Sequence, residues 1–206
     1  MSTKDRVLQT AERLFAERGF DGVSIRDITN EAKVNLAAVT YHFGNKEKLF
    51  TAVLMRKVDP ITKVGVAIVQ GNKKPADKLK ALMESYAMHI LHKDPTLRIY
   101  FAELLSGAMH MPRAAIDAMN LRNRLFIQIV KEGIKAGVFR RCDLECAAWN
   151  FFGMLCSYIL YEPLVSAASR AMPYPVPYVK RIVDAAMDVF LNGIATGKGQ
   201  LLKARR

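Results

Sequence analysis

The 206-residue chain is 51% hydrophobic and 24% charged, a globular composition that excludes a low-complexity polymer and supplies one sizeable core or a small module on a larger one. Its formal charge of +12 favours polyanionic partners, nucleic acid before acidic membrane, although residues 1–57 carry only +3 of it. Three cysteines, a polar start (MSTKDRVLQT) and a longest uncharged run of sixteen residues (146–161) lead to the expectation of a reduced, cytoplasmic protein without signal peptide, membrane span or membrane partner.

Helical periodicity dominates and no run alternates apolar and polar residues over a strand's length, so the chain is read as all-α with about nine helices. The first runs from about Lys4 to Arg18, with Val7, Ala11, Leu14 and Phe15 on one face and Gly19 as its stop. Ser24 opens the second as N-cap, and Asp27 three residues on completes a capping box; Ile25, Ile28 and Ala32 face inward. The third spans Leu36 to Phe43 between an Asn35 N-cap and Gly44. A fourth starts after Asn45 and runs past Phe50, Val53 and Leu54 until Pro60 kinks or ends it.

Beyond the loop QGNKKP (70–75), helices are expected to about Leu91, then from about Pro95 to Ala108 and from about Arg113 to Ala136. Another is expected from about Asp143 to Tyr161, stopping at Glu162-Pro163, and a last one from about Pro177 to Ala195 after the proline-rich MPYPVP (172–177). Residues 198–206 form a basic tail expected to be disordered. Short helices with tight turns thus give way to long amphipathic ones, which suggests an N-terminal module, 1–47, on a larger helical domain, 48–197.

The second and third helices, with the tight turn Lys33–Asn35 between them, have a helix-turn-helix layout, whose second helix enters the DNA major groove. Val39 and Phe43, one turn apart, can pack inward with Val34. That leaves Leu36, Ala37, Ala38, Thr40, Tyr41 and His42 outside the core or at its edge. Leucine and alanine can touch thymine methyls, and Thr40 and His42 can hydrogen-bond to bases. Lys46 begins the next helix, where an ammonium and unpaired N–H groups can hold one phosphate together. The same pattern also describes a small helical hairpin buried in a core.

The stretch LFAERGFDGVSIRDITNEAKVNLAAVTYHFGNKEKLF resembles the DNA-binding domain of the TetR (tetracycline-repressor-like) family of bacterial transcriptional regulators, over about Val7 to Leu54. The resemblance implies a ligand-responsive homodimer, most simply a repressor that binds a palindromic double-stranded operator and is released by a small molecule bound in its C-terminal domain. It implies a regulator and not an enzyme, with no cofactor or metal. Carried over, Ser24 caps the second helix against a phosphate and Arg26 reaches the groove or backbone beside it. Leu36, Ala37, Ala38 and Thr40, following Asn35, sit where family members touch bases, and Tyr41, His42 and Lys46 where they hold the backbone. The family's turn usually reads Ala-Gly-Val, so Lys33 must take the left-handed conformation in glycine's place, at a cost of about 1 kcal/mol, and can add a phosphate contact.

The apolar helix DLECAAWNFFGMLCSYILYEP and the last helix are expected to form half of a four-helix dimer bundle, which the family resemblance favours over the alternative that both are wholly intramolecular core. Tyr86, Met88, His89, Phe101, Leu105, Met109, Phe126, Trp149, Met154 and Tyr158 can line a cavity for a largely apolar effector, although such spacing also describes core. His89 and His92 with Asp94 have metal-ligand spacing, and Cys142 with Cys146 that of a redox pair; a surface histidine pair and inert thiols are the simpler readings. No acid/base or nucleophile set points to turnover. The alternative to a regulator is a helical small-molecule-binding protein with a degenerate DNA module.

Overall fold

A computed structural model describes residues 1–90, 95–169 and 176–194. Among the described residues the regular elements are nine helices: α1 Thr3–Arg18, α2 Ile25–Ala32, α3 Leu36–Phe43, α4 Lys46–Gln70, α5 Pro75–Ile90, α6 Pro95–Leu105, α7 Arg113–Lys135, α8 Leu144–Ser169 and α9 Val176–Ile194. The tail 198–206, His92, Asp94 and most of MPYPVP lie outside the described residues. No described helix is long and apolar enough to cross a membrane.

The chain packs as two units. The first comprises Met1–Pro60 and Asp94–Met119. Its core joins Leu14 and Phe15 of α1, Ile28 of α2, Val39 and Phe43 of α3, and Leu49, Phe50, Val53 and Leu54 of α4. Ile99 of α6 and Met111 and Ala115 around the start of α7 complete it. A buried polar link adds direction: Thr96 Oγ1 donates to Glu12 Oε1 at 2.7 Å, and Arg56 lies 3.3 Å from Glu12 Oε2. This packing division differs from the division expected at residue 47, because α6 and the first turns of α7 bury their apolar faces with the N-terminal helices.

The second unit comprises Ile61–Lys93 and Asn120–Arg206. Leu79, Leu82 and Met83 of α5 pack with Phe126 and Ile129 of α7, Phe151, Phe152 and Leu155 of α8, and Val183, Met187 and Phe190 of α9. The buried Lys78 ammonium donates to the Val69 carbonyl at 2.7 Å and to Glu132 at 2.8 Å, tying the end of α4 to α5 and α7. Gly133 leaves room for the buried Phe139 ring, with which any β-carbon there would collide.

Neither Pro60 nor Pro163 ends its helix. Pro60 lies within α4, which continues to Gln70. Both Pro60 and Arg56, whose carbonyl loses its amide partner, are exposed, so water can satisfy the freed group. Helix α8 likewise passes Pro163 and reaches Ser169, eight residues beyond the expected stop at Tyr161. Conversely α6 ends at Leu105 rather than Ala108, because Gly107 and Ala108 both take positive φ, 87° and 58°.

Candidate nucleic-acid interface

The helix-turn-helix is held by its caps. The Asp27 N–H donates to Ser24 Oγ at 3.1 Å, while the Ser24 N–H and hydroxyl donate to Asp27 Oδ2 at 2.7 and 2.6 Å. The Ser24 hydroxyl, then its N–H, hold the Asp27 carboxyl below the usual carboxylate range. The cap's contribution is therefore complete at neutral pH and is lost only as the pH falls through that lowered value. In this state the Ser24 hydroxyl proton is committed to Asp27, so a phosphate would reach Ser24 only by exchange. Arg26 is exposed.

Lys33 closes α2 in the left-handed region, φ 51° and ψ 52°, with its N–H directed at Asn30 and Thr29 carbonyls. The Val34 N–H donates to Thr29 O at 3.0 Å, and Arg6 of α1 reaches the Lys33 carbonyl at 3.4 Å. Lys33→Gly is expected to raise stability by up to about 1 kcal/mol, since glycine's greater unfolded-state freedom offsets part of the relieved strain. A urea midpoint measurement reads this directly.

Helix α3 follows the expected bounds, with Asn35 Oδ1 accepting the Ala38 N–H at 2.8 Å and the Gly44 N–H closing on Thr40 O at 2.9 Å. Val39 and Phe43 are buried. Leu36, Ala37, Thr40, Tyr41 and His42 are exposed, Tyr41 by 85%, and Ala38 is half-buried. Five polar or small apolar side chains thus share a short helix with no lysine, arginine or acid. Thr40 donates its hydroxyl proton to Leu36 O at 3.2 Å, which leaves its oxygen lone pairs and methyl for a base edge. The Tyr41 and His42 rings meet edge to face at 5.1 Å.

Lys46 is half-buried, and its Nζ lies 4.1 Å from the centroid of Phe20. The ring orients the ammonium at the N-terminus of α4. Asn45 caps that helix by accepting the Lys48 N–H at 2.9 Å. The amides of Lys46 and Glu47 have no intrahelical acceptor, as at any helix start. Sequence reasoning missed Phe20 as the seat of Lys46, Asn45 as a cap and Arg6 as support for the turn. Only Asn45 left a local signal, a cap residue type immediately before a helix.

The expected effector residues fall in both packing units. Tyr86 and Phe126 are buried in the second unit's core, and Met154 and Tyr158 pack partly buried against it. His89, on α5, is half-buried with Nδ1 2.8 Å from the Ser85 carbonyl, which fixes the proton on that nitrogen. Phe101, Leu105 and Met109 belong to the first unit, where Leu105 and Met109 are 78% and 80% exposed. Trp149 is 60% exposed and Met88 also lies at the surface. Helical spacing shows which face is apolar and not which core that face joins.

Asp143 pushes the exposed Cys146 thiol up, opposite to the direction a reactive thiolate needs, and burial pushes Cys156 up. Among the described residues no three His, Cys, Asp or Glu side chains are grouped to hold a metal.

Residues 7–53 match the model of "Bacterial regulatory proteins, tetR family", and residues 72–159 that of "Tetracyclin repressor-like, C-terminal domain". The chain is 44% identical over 162 residues to the HTH-type transcriptional repressor NicS of Pseudomonas putida, covering 76% of this chain and 74% of that one. It is 28% identical over 143 residues to the HTH-type transcriptional repressor KstR2 of Mycolicibacterium smegmatis, covering 68% of each. The crystal structure of AibR in complex with isovaleryl coenzyme A and operator DNA shares the fold at a TM-score of 0.69, with 19% identity, over 91% of this chain and 97% of that one.

Proposed function

The chain belongs to the TetR family of bacterial regulatory proteins, and on that premise we propose that it represses transcription as a homodimer on a palindromic operator and lets go when a small molecule occupies its second unit. It is a ligand-responsive DNA-binding regulator and not an enzyme. The observation that carries the reading is α3: sealed to the core through Val39 and Phe43, and presenting an uncharged outer face to solvent. An isolated head reads only a few base pairs, so tight binding needs two heads.

In this reading Leu36, Ala37, Ala38 and Thr40 approach the base edges. Asn35 holds the start of α3. Tyr41, His42 and Lys46 fix the register on the phosphates, with Ser24, Arg26 and Lys33 contributing around them. The dimer face is assigned to α8 and α9. Trp149 and Leu160 lie eleven residues apart on α8, close to three turns, with Gly153 open between them, and Val189 on α9 is 67% exposed. Large exposed apolar side chains at that spacing fit a bundle of two helices from each protomer. The effector is proposed to act through α4, which starts at Lys46 and contributes to both units. A displaced α4 changes the separation of the two recognition helices, so the half-sites no longer fit.

Fluorescence anisotropy with a duplex from the protein's own promoter tests the reading. Selective binding over a scrambled duplex is expected, falling with salt at a log–log slope of about −5, for about three phosphates neutralised per head at about 0.9 each. Equal affinity for both duplexes contradicts it.

A further inference from the structure

Among the charged side chains of the second unit, Arg122 of α7 is conspicuous for what it lacks. Its Cζ lies 4.1 Å from the centroid of Phe152 and 5.9 Å from that of Tyr86, rings that themselves meet edge to face at 5.1 Å. Both aromatic residues are buried, so the guanidinium is held against low-dielectric walls. Its Nε is sealed from solvent and has no hydrogen-bond partner. Its one hydrogen bond among the described residues runs to the neighbouring Asn123 Oδ1 at 3.3 Å. No carboxylate among the described residues pairs with it, whereas Lys78, the other sheltered cation of this unit, has both Glu132 and a carbonyl. The Ser85 hydroxyl, one residue before Tyr86 on α5, is also buried without a partner.

A charge over an aromatic face gains attraction, but its in-plane N–H donors still need acceptors. Buried charges are normally paired, and a buried donor without a partner costs stability. A half-buried guanidinium against this aromatic pair, with its Nε sealed and no carboxylate partner among the described residues, is therefore a donor group awaiting an acceptor. One guanidinium between aromatic walls matches a single negative charge in fork geometry. A phosphate dianion would leave one charge uncompensated.

We propose that Arg122 is the anion-recognising residue of the effector site, and that the effector is a small organic carboxylate whose apolar body lies against Phe152 and Tyr86. This rests on the ligand-responsive reading given above and narrows it, since a wholly apolar effector would leave Arg122 unpaired.

The test uses full-length protein and two readings for each probe, thermal midpoint and operator anisotropy, with benzoate, hexanoate, their neutral amides and phenyl phosphate as probes. The carboxylates are expected to raise the midpoint and release the operator, and the amides and phenyl phosphate to do neither. Arg122→Gln is expected to keep or raise the midpoint of the unliganded protein, because a half-buried charge without a carboxylate partner is removed. It should bind the carboxylates at least about tenfold more weakly, with Arg122→Lys between the two. Amides acting as well as acids, phenyl phosphate acting alone, no response of the wild type to either acid, or unchanged carboxylate binding by Arg122→Gln each overturns the proposal. Release of the operator by a neutral apolar compound would overturn it while leaving the ligand-responsive reading intact. Failure of every small molecule to alter DNA affinity would count against that broader reading as well.

Discussion

Ala37→Glu is expected to weaken operator binding at least about a hundredfold, equivalent to about 2.7 kcal/mol, without lowering the thermal midpoint. Ala37 is exposed on the first turn of α3 and is part of neither core. A carboxylate there interacts favourably with the positive end of the helix, so local stability holds or rises slightly. Against DNA the same charge meets phosphates and base acceptors at close range, in a groove where it must also be desolvated. The two effects have opposite signs, which separates a reading surface from a packing surface. Paired thermal-melt and anisotropy measurements on the one variant suffice. A variant that binds normally would place α3 outside the groove.

Phe15→Ala is expected to cost the first unit about 3–5 kcal/mol and to abolish DNA binding through loss of the head's structure. Phe15 is 1% exposed and is the hub of an aromatic group, stacked on Phe20 at 6.0 Å and edge to face with Phe50 at 5.1 Å. Phe20 in turn carries the Lys46 ammonium on one contact and the His110 ring, 4.4 Å away, on another. Emptying the Phe15 site therefore also unseats the residue proposed to grip phosphate. Hydrogen exchange should show lost protection across α1 to α3, while the second unit's core, with its own aromatic group around Phe126, stays protected. Uniform loss of protection across both units would show that they fold as one.

The parts legible in the sequence were those set by local chemistry. Ser24 with Asp27, Asn35 and Gly44 bound α2 and α3 because caps act within three or four residues. The left-handed Lys33 was legible through the family resemblance, whose turn has glycine at that position. Long-range choices were not legible. Pro60 and Pro163 look like stops in isolation, yet one lost amide costs less than breaking a helix anchored on both sides of it, as Val53, Leu54 and Val69 anchor α4. Ile99, Met111 and Ala115 fall within the domain expected over 48–197, but their partners are in α1 to α4. Arg122 carried no sequence signal, because a lone arginine on a helix becomes conspicuous only when its surroundings are seen to lack an acid.

The proposed recognition helix carries no lysine, arginine or acid and reads thymine methyls through Leu36 and its alanine neighbours, with cations confined to the phosphate contacts. Anisotropy titration of one operator duplex, with thymines replaced by uracil in each half-site, tests this most directly. Each methyl is worth up to about 0.8 kcal/mol when buried. Loss of one or two methyls per half-site should therefore weaken binding roughly tenfold or more, with the salt slope unchanged. Equal affinity for the thymine and uracil duplexes would contradict it.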